Sequence, residues 1–260
     1  MKKLALTMGD PGGVGPEIII KALYSSEVRR YCAPIVIGDR IVIEEVLNLL
    51  KLPLKLKIIK SPEESEPASG TIELIVSGVI KKFKKGQPTA KSGRACASYI
   101  KKAVELALQK QVHGIVTAPI SKEALKMAGF AWTGHTEMLA ELTHTKDYAM
   151  MLVGGPLRVI LVTIHVPLKR VPALITKDRA LKTIRLAKKA CDMFGIKSPR
   201  IAVAGLNPHA GEAGIFGDEE IKKIIPAVEA AKKEGIPVSG PYPPDTIFHK
   251  AYKGEIDIVV

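Results

Sequence analysis

The chain of 260 residues is 47% hydrophobic and 25% charged, an ordinary globular composition with apolar material for one large domain or two smaller ones. Its 39 Lys and Arg against 26 Asp and Glu leave a formal charge of +13; aromatics are only 5% and do not interleave with the basic residues, which argues against a nucleic-acid partner and leaves a small anionic substrate open. Three scattered cysteines without a CxxC exclude a disulfide framework and a thiolate zinc site, and no stretch approaches the ~20 apolar residues of a membrane helix, so a cytoplasmic protein with no membrane partner is expected.

From the N-terminus, the apolar run 4–8 stops at a Gly-rich turn, too soon for a signal-peptide core. Apolar residues at helical spacing follow over 17–31, with Pro16 suited to a first helical turn. A buried strand is expected at 34–37, a helix at 40–50, and β-like runs at 54–59 and 71–76 around a polar loop at 61–70. A long amphipathic helix over 91–110 leads to a strand at 114–117, a short helix at 122–128 and a turn at 132–135. Strands at 148–153 and 158–163, a helix at 177–194, a strand at 200–204, helices at 218–233 and 245–252 and a strand-like run at 256–260 complete the chain. Lys-Lys pairs at 81–82, 101–102, 188–189, 222–223 and 232–233 read first as solvated helix faces.

Unalternating apolar strands separated by helices specify an α/β fold, an α/β/α sandwich with a mostly parallel sheet covered on both sides. The glycines around 129–134 suggest two α/β subdomains, 1–128 and 129–260, with the second carrying the strand-end histidines. The run 256–260 has the character of a core strand, and the chain ends inside it, so a continuation is expected; an ordinary final strand is the alternative.

In open α/β sheets, ligands bind beyond the carboxyl ends of the strands. After 114–117 comes Ala118-Pro-Ile-Ser-Lys122; after 158–163 comes His165; after 200–204 comes Asn207-Pro-His209-Ala-Gly-Glu212. Neutral imidazole is the commonest metal ligand, so His165 and His209 are candidates for a divalent cation, although a catalytic zinc has three protein ligands. A third could lie just past the terminal strand. The Gly-rich turn at 9–17 opens a helix, where free amides would suit a phosphate or carboxylate; a simple tight turn is the competing reading. Thr136 could cap a helix and present His135 outward. His113, His144 and His249 read as structural.

Six stretches in order carry a resemblance: MGDPGGVGPE at 8–17, TAPISKEAL at 117–125, GHTEMLAELT at 134–143, TIHVPLKRVP at 163–172, IAVAGLNPHAGEAGIFGDEE at 201–220 and GPYPPDTIF at 240–248. The sequence resembles the 4-hydroxythreonine-4-phosphate dehydrogenase family of pyridoxal phosphate biosynthesis over essentially its whole length. GDPGGVGPE is also similar to the turn of isocitrate and isopropylmalate dehydrogenases, which implies two subdomains with a cleft. The family oxidises the C3 hydroxyl of 4-phosphooxy-L-threonine with NAD, and loss of CO2 gives 3-amino-2-oxopropyl phosphate. The resemblance implies a homodimer with shared active sites and a divalent metal, whether zinc, magnesium or cobalt, held by three histidines. It assigns His135 and Thr136 to substrate and His165 and His209 to metal, with Asp245 a further candidate for catalytic positioning. The third metal histidine and further substrate contacts lie, in the family, in a Tyr-His-Asp-Gln-Gly stretch and beyond, past the position of Val260. Ser121 stands where the family commonly has Asn. Two alternatives remain at this point: a dehydrogenase of a phosphorylated sugar acid such as threonate or erythronate 4-phosphate, and a non-catalytic dimerising fragment.

Overall fold

Residues 1–78, 80–132 and 134–260 are described by a computed structural model, in which Met1–Thr145 and Lys146–Val260 form separate units. The division follows Thr145 rather than residue 128, which ends a helix inside the first unit. The turn expected at 132–135 includes Thr133, outside the described residues.

The first unit runs β1 (Lys3–Thr7), α1 (Gly15–Tyr24), α2 (Val28–Tyr31), β2 (Ala33–Gly38), α3 (Arg40–Leu50), β3 (Lys55–Ile58), β4 (Thr71–Val76), α4 (Ala90–Leu108), β5 (Gly114–Thr117), α5 (Lys122–Met127) and α6 (His135–Leu142). Its sheet has the order β3-β4-β2-β1-β5, with every pairing parallel. All six residues of β2 are buried, as a central strand covered on both faces requires. The single helix expected over 17–31 is broken at Ser25, whose backbone is extended and whose hydroxyl accepts from Glu27 N–H at 3.3 Å. Serine competes in this way with the helical backbone bonds. Helix α4 begins at a reciprocal cap: Ser92 N–H donates to Thr89 Oγ1 at 3.0 Å and Thr89 N–H to Ser92 Oγ at 3.1 Å.

The order of this sheet has a directional consequence. The chain moves from β1 to β2 and on to β3 toward one edge, then from β4 across to β5 toward the other. Right-handed crossovers therefore send the helices after the neighbours β2 and β4, α3 and α4, to opposite faces. Helix α3 accordingly packs with α1, and α4 with α5 and α6.

The second unit contains β6 (Met151–Gly154), β7 (Leu157–Ile160), α7 (Val171–Leu174), α8 (Lys177–Met193), β8 (Ile201–Ala204), α9 (Ile225–Lys233), β9 (Val238–Tyr242), α10 (Pro244–Tyr252) and β10 (Ile258–Val259). The order is β6-β7-β10-β8-β9; the β6–β7 hairpin is antiparallel and the remaining pairings are parallel. Ile201 and Val203 face Ile184, Ala187 and Val228 of α8 and α9, while Ala202 and Val259 face Ile247 and Ala251 of α10. Both faces are thus covered, which explains why these strands lack a polar alternation. Strand β9 escaped the sequence reading because Gly240, Pro241 and Pro243 are turn residues by type. It survives at the sheet edge, with a register shift between Ala202 and Ala204 of β8. The runs read as strands at 158–163 and 256–260 are assigned as Leu157–Ile160 and Ile258–Val259, although Asp257 and Val260 also bond to the β8 segment, through Arg200 and Ala202 carbonyls at 3.0 and 2.9 Å. Among the described residues, no helix is long and apolar enough to cross a membrane.

Candidate active site

In the first unit, the turns after β1 and β5 are stitched together. Asp10 N–H donates to Pro119 carbonyl at 3.0 Å, and a Cβ on Gly9 would lie 2.3 Å from that same oxygen. Gly9 has φ +75°, so glycine is required there for both conformation and space. Asp10 is buried and turns back on its own loop: Oδ1 accepts from Gly12 N–H at 2.8 Å and its carbonyl from Gly13 N–H at 2.9 Å. Asp10 thus occupies the Gly12 and Gly13 amides, two of those in the turn that could have met a ligand anion. A cavity of about 270 Å³ remains beside the turn, reaching Gln87 and Ser121. Ser121 caps α5, accepting from Ala124 N–H at 3.1 Å, a role a short side chain with an acceptor oxygen performs well.

His135 and Thr136 open α6, but Gly134 is the capping residue and no side chain caps the helix. Thr136 thus sits inside the first turn, and His135 is half-buried: its Nε2 is buried and has no hydrogen-bond partner among the described residues. Burial pulls the His135 pKa below its ordinary value of 6.5, favouring neutral imidazole. An unpaired buried nitrogen costs about 1–3 kcal/mol, and a ligand that supplies a partner recovers it.

In the second unit, His165 follows β7 and His209 follows β8, the two strands that flank β10 in parallel. Neighbouring strands lie about 4.8 Å apart, so the two segments leave the same edge of the sheet roughly 10 Å from each other. Both histidines have left-handed backbones, with φ 52° at each. His209 begins a run of five such residues through Ala213, a conformation costing about 1–2 kcal/mol per non-glycine residue. Buried Glu220 holds the entry to that run: Oε1 accepts from Leu206 N–H and Asn207 N–H, each at 2.7 Å, and Oε2 from the Asn207 side-chain amide at 2.9 Å. Burial alone would raise the Glu220 pKa; the donors from Asn207 and Leu206 outweigh it and hold the carboxyl below its usual range. Glu220 lies in a π-helical turn, Glu220–Ile224, a local widening of the helix frequent at functional sites.

Sequence reading passed over Glu220, which ends a run of three acids, Asp218-Glu-Glu220, at the start of an expected helix. The available signal was its place in the same block as Asn207 and His209. Asp245 is exposed in the first turn of α10, where its carboxylate favours the helix N-terminus. His113 accepts from Lys3 N–H at 3.2 Å.

Among the described residues, no group of three His, Cys, Asp or Glu side chains is gathered tightly enough to hold a metal ion. His165 and His209 have the donor chemistry of zinc and its neighbours, as two members of a set that ordinarily has three.

Two α/β units with mostly parallel sheets, whose polar, strained loops follow strand ends, define an open-sheet α/β enzyme, the class that places ligands past its strand carboxyl ends. The chain belongs to the pyridoxal phosphate biosynthetic protein PdxA family, whose model matches residues 30–260. It is 46% identical over 260 residues to a 4-hydroxythreonine-4-phosphate dehydrogenase of Desulfosudis oleivorans, covering 99% of this chain and 77% of that protein. It is 45% identical over 262 residues to a D-threonate 4-phosphate dehydrogenase of Pectobacterium atrosepticum, covering 100% of this chain and 80% of that one. A crystal structure of 4-hydroxythreonine-4-phosphate dehydrogenase from Klebsiella pneumoniae superposes with a TM-score of 0.95 at 42% identity, over 100% of this chain and 81% of that one.

Proposed function

We propose that this protein is an NAD-dependent dehydrogenase that oxidises the C3 hydroxyl of 4-phosphooxy-L-threonine. The 3-keto acid formed carries its carboxylate β to the new ketone and loses CO2, giving 3-amino-2-oxopropyl phosphate. The observation that carries this reading is the 46% identity to a 4-hydroxythreonine-4-phosphate dehydrogenase along the whole chain, in a sequence that keeps His135, Thr136, His165 and His209 at strand and helix ends.

The chain's own residues have distinct tasks in this reading. His135, neutral and with a buried Nε2 that has no partner among the described residues, binds the substrate through that nitrogen; satisfying it favours the bound state. Thr136 adds a hydroxyl in the first turn of α6, where helix N-termini favour anionic groups. Glu220 and Asn207 hold the loop that aims His209. His165 and His209 would hold a divalent cation (zinc, magnesium or cobalt) as two members of the three-histidine set that the family resemblance implies. When bound, NAD supplies the hydride acceptor and the cation supplies Lewis acidity at the C3 oxygen. Asp245 is assigned a positioning role near the substrate. The reading includes a cytoplasmic homodimer with shared sites.

A second reading is favoured by a specific observation: relatives at 45% and 46% identity are D-threonate 4-phosphate dehydrogenases. D-threonate 4-phosphate carries a hydroxyl at C2 where phosphooxythreonine has an amine, and both have a hydroxyl at C3. NADH formation, followed with both substrates at matched concentrations, tests both. A kcat/KM at least tenfold higher for 4-phosphooxy-L-threonine supports the first; the reverse preference transfers the assignment to the sugar acid. No NADH from either, with added zinc, magnesium or cobalt, rejects the dehydrogenase reading. Light scattering that gives a single 28.0 kDa chain rejects the dimer.

A further inference from the structure

A second cleft in the first unit is larger than the one beside the Gly-rich turn. It opens beyond the carboxyl end of β4, has a volume of about 650 Å³, and is lined by Ser77, Gly78, Lys81, Lys82, Lys91 and Arg94, with Ser98 behind them. A volume of this size lies within the ~300–1,000 Å³ range of small-molecule sites.

Its position is where this topology places ligands. The carboxyl ends of β2 and β4 are adjacent, joined by the bond from Ser77 N–H to Gly38 carbonyl at 3.1 Å. The helices that follow them go to opposite faces of the sheet, leaving a crevice between, the switch point of a doubly wound sheet. The α4 residues Lys91, Arg94 and Ser98 form one wall, with the amino-terminal turn of a 19-residue helix contributing its positive end.

The charge in the cleft is unbalanced. Lys81, Lys82, Lys91 and Arg94 are exposed, and none has an ion-pair partner among the described residues, whereas nearby Lys85 pairs with Glu45 at 3.1 Å. Asp39, against the lining residue Gly78, is buried and committed: Tyr99 hydroxyl donates to Oδ2, and Ile80 N–H to Oδ1 at 3.2 Å. The space above Asp39 is closed as well, since a Cβ on Gly78 would lie 2.3 Å from Oδ2. Beneath the four cations the walls include apolar Ile80 and Ala95, so the cleft accepts a ring or sugar alongside an anion.

We propose that this cleft binds the diphosphate of a nucleotide, and that in this enzyme it seats the pyrophosphate of the NAD cofactor. Four cations exceed what a single phosphate monoester needs, and the volume exceeds a four-carbon substrate. The assignment rests on the NAD-dependent reading above and adds to it the location of the cofactor's charged middle.

The test uses the full chain and calorimetric titration with ADP and with inorganic pyrophosphate, which share the diphosphate but lack nicotinamide. Both are expected to bind the wild type, more weakly as salt rises, with ADP displaced by NAD. Lys91→Ala/Arg94→Ala is expected to weaken ADP at least tenfold and raise KM for NAD similarly with kcat little changed; Arg94→Lys restores most of the loss. These side chains are exposed, and circular dichroism confirms that the variants fold. His165→Ala/His209→Ala is expected to leave ADP affinity unchanged. The proposal is overturned if ADP and pyrophosphate do not bind the wild type, or bind the double variant equally well. It is also overturned if the phosphorylated substrate displaces ADP and NAD does not. Because wild-type NADH formation tests the dehydrogenase reading separately, an active enzyme with unaltered NAD kinetics in the double variant rejects the cleft alone.

Discussion

Glu220 and Asn207 form a closed pair: one carboxylate oxygen accepts the asparagine backbone N–H at 2.7 Å and the other its side-chain amide at 2.9 Å. Two residues farther on, the backbone enters five consecutive left-handed conformations beginning at His209. The pair anchors a loop that would otherwise relax.

Glu220→Gln should therefore destabilise the protein by about 2 kcal/mol at neutral pH, since charge-assisted hydrogen bonds are lost and one amide donor faces another. The sign of the pH dependence follows from the lowered carboxyl pKa. In the wild type this stabilisation is complete above the ordinary glutamate value of 4.5 and is lost as pH falls through the folded value. Denaturant melts from pH 7 to 3 should show the two proteins converging at the acidic end. Parallel curves would contradict the role given to this carboxylate.

His135 should titrate below 6.5, because burial disfavours its cation. Proton uptake then belongs to the unfolded chain, so this group's contribution to stability is present above about 6.5 and declines as pH falls below it. An NMR titration of its ring protons measures the midpoint directly. With saturating substrate the midpoint should move. A value at or above 6.5 in the free protein would mean that the ring is solvated.

His209→Ala should lower zinc affinity at least a hundredfold in a protein that also carries the family's third histidine, and His165→Ala should do the same. Glu220→Gln should cost about 10–100-fold through the loop, without removing a ligand. Competition with a chelating dye reads all three. Unchanged affinity in either histidine variant removes that residue from the proposed metal set.

Gly9→Ala and Gly86→Ala separate conformation from space. Both glycines have φ near +75°, at +75° and +72°. A Cβ at Gly9 would strike Pro119 carbonyl, whereas at Gly86 nothing lies within 4 Å. Gly86→Ala should cost about 1 kcal/mol and Gly9→Ala at least about 3, with loss of activity as the turns after β1 and β5 separate. Equal melting midpoints for the two variants would show that the turns are not locked together.

Much of the architecture was legible because it is local. Apolar runs such as 34–37 and helical spacing such as 40–50 report burial directly, and α3 spans the very residues its pattern indicated. The break at Ser25 and the edge strand β9 were harder to see, as each depends on hydrogen bonds that composition does not encode. His165 and His209 could be singled out as strand-end residues by their position after apolar runs. Their left-handed backbones could not, nor could the buried state of His135 Nε2.

The amino-acid order by itself determined which segments would be strands and helices, where the polar loops would fall, and the family, since periodicity and motif are properties of neighbours along the chain. Only the tertiary structure decided that Asp10 occupies the amides of its own turn, that Glu220 fastens the His209 loop, and that four cations from 81–94 surround one crevice. Those facts depend on strand order and on backbone directions, which bring residues far apart in sequence within hydrogen-bond and Coulomb range.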